Sequence, residues 1–267
     1  MSKKVVLIAP SPYSLYSTSM VVLLERKGVE VAGIIIKKFT LGRFLSEYKR
    51  DGNRLFQKIW KKLVLKDKAY AETSGYNIVQ YRKDKDIKLT SLKELKDKKI
   101  IECTDLNSVE IEQFLKEINP DAVIFTGGGM IRKTIIELSG NGILNCHMAI
   151  LPEYKGMDVV EWPVLNNEFD KVGVTVHLIH EGVDTGPILG MQRIDINNMP
   201  NFKQLRREFE PIMCDVLSDT AYKYLNGEIA PKEQDKTVGK QYFVMHDRLI
   251  GKAQKILNRN YAEHTKP

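Results

Sequence analysis

Two short unbroken apolar runs, Lys4 to Ala9 (KVVLIA) and Val29 to Ile36 (VEVAGIII), stand on either side of a helical stretch, Ser17 to Arg26 (STSMVVLLER). The stretch begins on Ser and Thr and is closed by Lys27-Gly28, a helix start and stop. A strand that is apolar at nearly every position is buried on both faces, as in a parallel sheet covered by helices. Strand, helix and strand in this order form a β-α-β unit, whose two strands run parallel with a right-handed crossover. The chain is thereby committed to an α/β architecture.

The alternation continues downstream. Asn107, with Glu110 three residues on, reads as the N-cap of a helix over 108–117, followed by a strand from Asp121 to Thr126 (DAVIFT). Gly127-Gly128-Gly129 ends that strand; it lacks the register and the Lys-Ser/Thr of a phosphate loop, and is read as room for close backbone approach. A helix from Lys133 to Leu138 stops at Ser139-Gly140-Asn141-Gly142, and Ile143 to His147 is the next strand. Val172 to Ile179 (VGVTVHLI) alternates as a half-exposed strand, which places His177 outward as a structural or exposed residue. His180 to Pro187 is a turn-rich loop before a strand over 188–196, and helical spacing runs from Asn201 to Tyr224. A short strand (Gln241 to Met245) and a basic helix (Leu249 to Asn258) close the chain.

With 267 residues, 43% of them hydrophobic, the chain can bury a real core. No apolar run approaches the roughly 18 to 20 residues that span a bilayer, and the first residues are too short a run for a signal peptide's core, so a cytoplasmic location is expected. Cys103, Cys146 and Cys214 are odd in number and lack metal-ligand spacing, which points to free thiols, no disulfide framework and no metal. The net charge is +7, yet 37–68 alone holds eleven cations against three acids. Within it Leu55, Phe56, Ile59, Trp60 and Leu63 fall on one stripe, the pattern of an inserted basic amphipathic helix at about 39–70.

The chemistry concentrates in NCHMAILPEYKGMDVVEW, residues 145–162. Side chains two apart on a strand share a face, so Asn145 and His147 point the same way, at the strand's carboxyl end where open α/β sheets bind ligands. Asp184 follows thirty-seven residues after His147 in a Gly-flanked loop, where a carboxylate would orient the imidazole. The three suit acyl transfer to an amine: the Asn145 amide donates to a developing oxyanion, and His147, supported by Asp184, handles protons. No side-chain nucleophile is needed.

The full run is Asn-x-His, Leu-Pro-x-Tyr-Lys-Gly, Trp162, Val-Thr-Val-His and Gly-Val-Asp-Thr-Gly-Pro-Ile. It resembles the folate-dependent formyltransferases, which include glycinamide ribonucleotide transformylase, methionyl-tRNA formyltransferase and the sugar N-formyltransferases. The resemblance is specific from about Asp121 to Ile188. It implies a Rossmann-like, mostly parallel sheet with helices on both faces, a catalytic domain over 1–200, and a small helix/strand extension over 201–267. It also implies Asn145, His147 and Asp184 as the catalytic trio and 10-formyltetrahydrofolate as formyl donor. The donor's pterin would lie against Gly129, Met130 and Ile131 and the loop carrying His180, Glu181, Gly182 and Val183, with the amine acceptor entering from the N-terminal β-α side, near Ser11 and Tyr13.

The sequence departs from the family around the acceptor. Met148-Ala149-Ile150-Leu151-Pro152 replaces Pro-Ser-Leu-Leu-Pro, and Lys155-Gly156 replaces Arg-Gly. Lys155 is the residue placed to touch an acceptor phosphate, whereas Tyr154 and Trp162 read as packing. Prolines in the turn Pro10 to Tyr16 remove backbone donors that a ribonucleotide phosphate would use, and the residues after Ile196 do not fit the C-terminal β-barrel of the tRNA enzymes. Aromatics on the apolar stripe of 39–68 are not free to stack on bases, so a nucleic-acid partner is disfavoured. The expected acceptor is a small amine, most simply an amino sugar carried on a nucleotide, with a homodimer accommodated on the C-terminal extension. The competing readings are the purine-pathway or tRNA enzyme, a non-catalytic folate or nucleotide-sugar binding module or basic-surface interaction protein, and a hydrolase that releases formate.

Overall fold

The computed structural model describes residues 2–38, 40, 76–235 and 237–265. The expected basic helix at 39–70 lies outside the described residues apart from position 40. β1 (Lys3–Ala9), α1 (Leu15–Arg26) and β2 (Val29–Lys37) form the expected unit. The helix begins two residues earlier than its Ser/Thr signal because Ser14 caps it, accepting from the Ser17 N–H.

Several elements escaped the periodicity, among them a helix and a strand before residue 108. α2 (Ile78–Asp84) is capped by Asn77, and β3 (Lys99–Cys103) is a five-residue strand. β3 sits at the sheet's edge with intermediate burial along most of its length, so its sequence lacks the fully apolar signature of an interior strand. α3 (Val109–Ile118) takes Ser108, not Asn107, as its N-cap residue. Asn107 instead receives the Arg132 N–H on its Oδ1 and donates Nδ2 to the Met130 carbonyl, tying α3's entry to the loop after β4 (Ala122–Phe125).

After α4 (Lys133–Glu137) come β5 (Ile143–His147), β6 (Tyr154–Gly156), α5 (Glu161–Leu165), β7 (Gly173–Leu178) and β8 (Ile188–Arg193), then α6 (Phe202–Leu225), β9 (Lys240–Tyr242) and α7 (Asp247–His264). The main sheet has the order β3-β2-β1-β4-β5-β7-β8, and β6 pairs with β9 in a separate ribbon. β1 to β5 are parallel, whereas β7 and β8 are antiparallel to their neighbours.

Alternation along the strands splits the core in two. Val5, Leu7, Leu144, Cys146, Val174 and Val176 face α1 and α6, where Met20, Leu24, Phe209 and Leu217 are buried. Val6, Ile8, Ile35, Val123 and Ile143 face α3 and α4, meeting Ile111, Phe114, Leu115 and Ile135. Each such fully buried aliphatic or Phe side chain contributes about 1.5 to 3 kcal/mol. β7 is buried at every position, not half-exposed: α6 covers one face, and the loop after β7 folds back over the other.

Candidate active site

On β5, Leu144 and Cys146 go to the α6 side, so Asn145 and His147 join Ile143 on the opposite face. Because β7 runs back antiparallel along β5, His177 lies beside Asn145 and Thr175 beside His147. The chain leaves β7 at the amino end of β5, and the loop 179–187 climbs over this face to deliver Asp184. Its Oδ2 is 3.6 Å from His147 Nδ1 and its Oδ1 is 3.6 Å from His177 Nε2. The expected trio is assembled, with a second histidine inside it.

Each ring's protons follow from its partners. His147 Nε2 lies 2.8 Å from the Tyr154 carbonyl oxygen, which can only accept, so Nε2 carries a hydrogen and Nδ1 is left facing the carboxylate. His177 Nδ1 donates in the same way to the Leu178 carbonyl at 2.9 Å, so its Nε2 bears a lone pair, which accepts from Asn145 Nδ2 at 3.1 Å. That bond fixes which way the Asn145 amide points and leaves its second N–H unspent among the described residues. His177, 2% exposed, is therefore neither outward nor merely structural in its contacts. The signal that would have found it is register: an antiparallel β7 beside β5 puts the two side chains side by side.

Burial pushes the His177 imidazole down from 6.5 to about 4, against the opposing pull of Asp184. Below pH 6.5 the unfolded chain therefore binds a proton that the folded chain does not, and stability falls as pH drops from about 6.5 toward about 4. His177→Phe is expected to flatten that part of a thermal-melt pH profile. The same change frees the Asn145 amide, and kcat is expected to fall by about tenfold, the worth of one misdirected hydrogen bond, with KM little altered. An unchanged kcat would remove His177 from the positioning role.

Asp184 is held in a left-handed conformation (φ +52°), which Asp tolerates better than most residues. Its Oδ2 accepts the Gly156 N–H at 2.8 Å, and Gln234 Nε2 donates to the carbonyls of Asp184 (2.9 Å) and Gly186 (2.6 Å). Gly156 has φ +97°, and a Cβ there would stand 2.2 Å from the Tyr242 carbonyl oxygen, so β9 needs glycine at this place. Tyr242 is stacked on Tyr154 and tilted against Trp162, with ring centroids 4.9 and 5.0 Å apart, and Trp162 Nε1 donates to the Phe243 carbonyl. Tyr154 and Trp162 thus pack the C-terminal extension against the strand that supports Asp184. The Gln234 contribution carries no signal in the sequence, and β9, Lys240–Tyr242, overlaps the short strand expected over Gln241 to Met245 without that expectation naming its partner.

The remaining expected residues are spread around this centre. Gly129, Met130 and Ile131 follow β4, next to β5; Met130 is 79% exposed, Ile131 is buried, and a Cβ added at Gly128 would crowd the Leu106 side chain at 3.1 Å. His180, Glu181, Gly182 and Val183 are exposed on the loop leading to Asp184. Lys155 donates its Nζ to the Val238 carbonyl at 3.3 Å. Ser11 and Tyr13 lie in the turn after β1, two strands from β5 and so roughly 10 Å aside. Ser11 accepts the Tyr13 N–H on its hydroxyl and the Ser14 N–H on its carbonyl, so these two donors of the turn are used internally. Among the described residues no group of three or more His, Cys, Asp or Glu is placed to hold a metal ion, and no helix is long and apolar enough to cross a membrane.

Residues 67–218, more than half of the chain, match the formyl transferase family. The chain belongs to that family of enzymes. It is 36% identical over 121 residues to the methionyl-tRNA formyltransferase of Thermodesulfovibrio yellowstonii, a match covering 45% of this chain and 39% of that one. The chain thus spans about two-fifths of the length of the curated relatives it matches. Among solved structures, phosphoribosylglycinamide formyltransferase from Bacillus halodurans superposes with a TM-score of 0.56 at 17% identity, over 85% of this chain and 97% of that one. An N-formyltransferase from Helicobacter canadensis, complexed with folinic acid and dTDP-3-aminofucose, gives 0.54 at 16% identity, over 96% and 80%. At these identities the two superpositions speak to the fold alone.

Proposed function

We propose that this formyl transferase family member moves a formyl group from 10-formyltetrahydrofolate to the amine of a small acceptor, most simply an amino sugar carried on a nucleotide. The observation that carries the reading is the pairing of His147 Nδ1 with the Asp184 carboxylate while Nε2 is committed to a backbone carbonyl. Only one ring nitrogen is left to exchange a proton, and it faces the group that stabilises it when charged.

The donor, when bound, supplies an activated formyl carbon. The chain's own groups then have separate tasks. Asn145, its amide aimed by His177, donates its free N–H to the formyl oxygen as negative charge grows there. His147 takes at Nδ1 the proton that the attacking amine must lose and returns it to the nitrogen that leaves. Asp184 holds the imidazolium in between, itself anchored by the Gly156 N–H. The fit to a folate is supported by two exposed apolar side chains, Met130 and Val183, on the two loops where a flat ring would lie, and by Gly129, where nothing stands within 4 Å of an added Cβ.

The acceptor preference rests on the turn after β1. Pro10 and Pro12 have no N–H, and those of Tyr13 and Ser14 are taken by Ser11, so a ribonucleotide phosphate finds few donors there. A tRNA acceptor is the second reading, favoured by the identity to methionyl-tRNA formyltransferases. Calorimetric titration with the non-transferring analogue 5-formyltetrahydrofolate is expected to give micromolar binding, about 8 kcal/mol, that Asp184→Ala weakens. Formyl transfer to a dTDP-linked amino sugar but not to methionyl-tRNA would uphold the acceptor; the reverse result would replace it. Absence of folate binding with and without an acceptor present would sink the reaction itself.

A further inference from the structure

Arg82 is a buried cation with no carboxylate to balance it among the described residues. The residue is 8% exposed, and its guanidinium donates through one terminal nitrogen to the hydroxyls of Thr18 and Ser19, both at 2.9 Å, and to the Leu15 carbonyl at 3.3 Å. The other terminal nitrogen donates to the Leu89 carbonyl. Every one of these partners is neutral. Burying a charge against neutral dipoles alone is costly, and the same hydrogen bonds could join α1 to α2 with a neutral side chain at less expense. Desolvation accordingly pulls the Arg82 group below its usual range, yet an arginine stays charged.

Arg82 lines a cavity of about 610 Å³, within the range of small-molecule sites. Lys83 and Lys88, both exposed, stand on its wall, and one acid, Asp86, lies 3.2 Å from Lys88. Tyr13, 69% exposed, supplies an aromatic face from the turn after β1. The Thr90 hydroxyl donates to the Glu94 carboxylate, and the Leu92 N–H is bonded to the Pro12 carbonyl, so this segment and the β1 turn are held together. The cavity thus combines a buried cation, two exposed lysines and an aromatic ring, beside the turn after β1.

We infer that this cavity is the site for the phosphates of the acceptor's carrier, a nucleoside diphosphate, with Tyr13 against the base. The inference deepens the proposed formyl transfer and rests on it for the amine end of the molecule. It also gives the charge of such an acceptor a place beside a β1 turn in which the Tyr13 and Ser14 N–H groups are already taken. The cavity shares Tyr13 and Leu15 with the turn after β1 and the start of α1, and that turn lies two strands from β5 in the sheet.

The test is calorimetric titration of the full chain with pyrophosphate and with dTDP, in parallel with 5-formyltetrahydrofolate. The chain is expected to bind pyrophosphate, and dTDP more tightly than pyrophosphate. Lys83→Ala/Lys88→Ala, two exposed positions outside the catalytic trio, should weaken both by about tenfold or more while folate binding and the melting temperature stay unchanged. Tyr13→Ala should cost dTDP its advantage over pyrophosphate and leave pyrophosphate itself unaffected. No binding of either anion, or binding that the double variant leaves intact, overturns the inference. Bulk tRNA displacing pyrophosphate from the wild-type chain at lower concentration than dTDP does would overturn the small carrier. Failure of the formyl-transfer reading looks different: folate binding is then lost while the anion results stand.

Discussion

His147→Gln is expected to lower kcat by about a hundredfold or more, the scale of a lost acid–base group, while the fold survives. Glutamine is the informative replacement because its amide N–H can still reach the Tyr154 carbonyl that His147 Nε2 now serves at 2.8 Å, yet it cannot carry a proton. His147→Ala should lose as much activity and some stability besides, since it leaves that buried carbonyl without its donor. Asn145→Ala belongs to the same test: removing an oxyanion donor costs about a hundredfold in kcat, with KM for the acceptor little changed. Single-turnover formyl transfer at saturating substrate, alongside a thermal melt, separates these effects. Near-normal turnover in either His147→Gln or Asn145→Ala would remove the assigned site.

The second large effect is expected at Asp184, where Asp184→Asn should reduce kcat by about a hundredfold as well. Asparagine keeps an oxygen for the Gly156 N–H and accepts the left-handed backbone at φ +52°, so the loop should hold its course. What it loses is the negative charge opposite His147 Nδ1, and with it the stabilised imidazolium. Asp184→Ala adds a backbone cost of about 1 to 2 kcal/mol at that φ and is expected to lower the melting temperature too. If Asp184→Asn turns over like the wild type while Asp184→Ala does not, the carboxylate serves the loop's shape and the proton pathway must run elsewhere.

Both tests concern residues that could be named from their spacing. Asn145 and His147 share a face because strand side chains alternate, a rule local enough to be read from five letters. Asp184 was legible as a loop carboxylate at a telling distance along the chain, through its place in a family pattern. His177 was not. Alternation in VGVTVHLI suggested a strand with one wet face, but whether that face is wet depends on what folds over it, and here the loop carrying Asp184 does. Asn107 shows the same limit: its type predicted a helix cap, and it bridges to the loop after β4 because that loop happens to lie within reach.

By itself, the sequence determined the parallel β-α-β frame, since unbroken apolar runs can be buried on both faces in no other common way, and it determined the residue types able to move a proton and hold an oxyanion. Tertiary structure alone decided that β7 returns antiparallel beside β5, that a neutral His177 aims Asn145, that Gln234 pins the Asp184 loop, and that Arg82 is buried beside a cavity with only neutral hydrogen-bond partners among the described residues. The physical reason is one of range. Alternation, capping and helix periodicity act over a few residues, whereas burial, hydrogen-bond partnership and charge balance are set by groups thirty to seventy residues away.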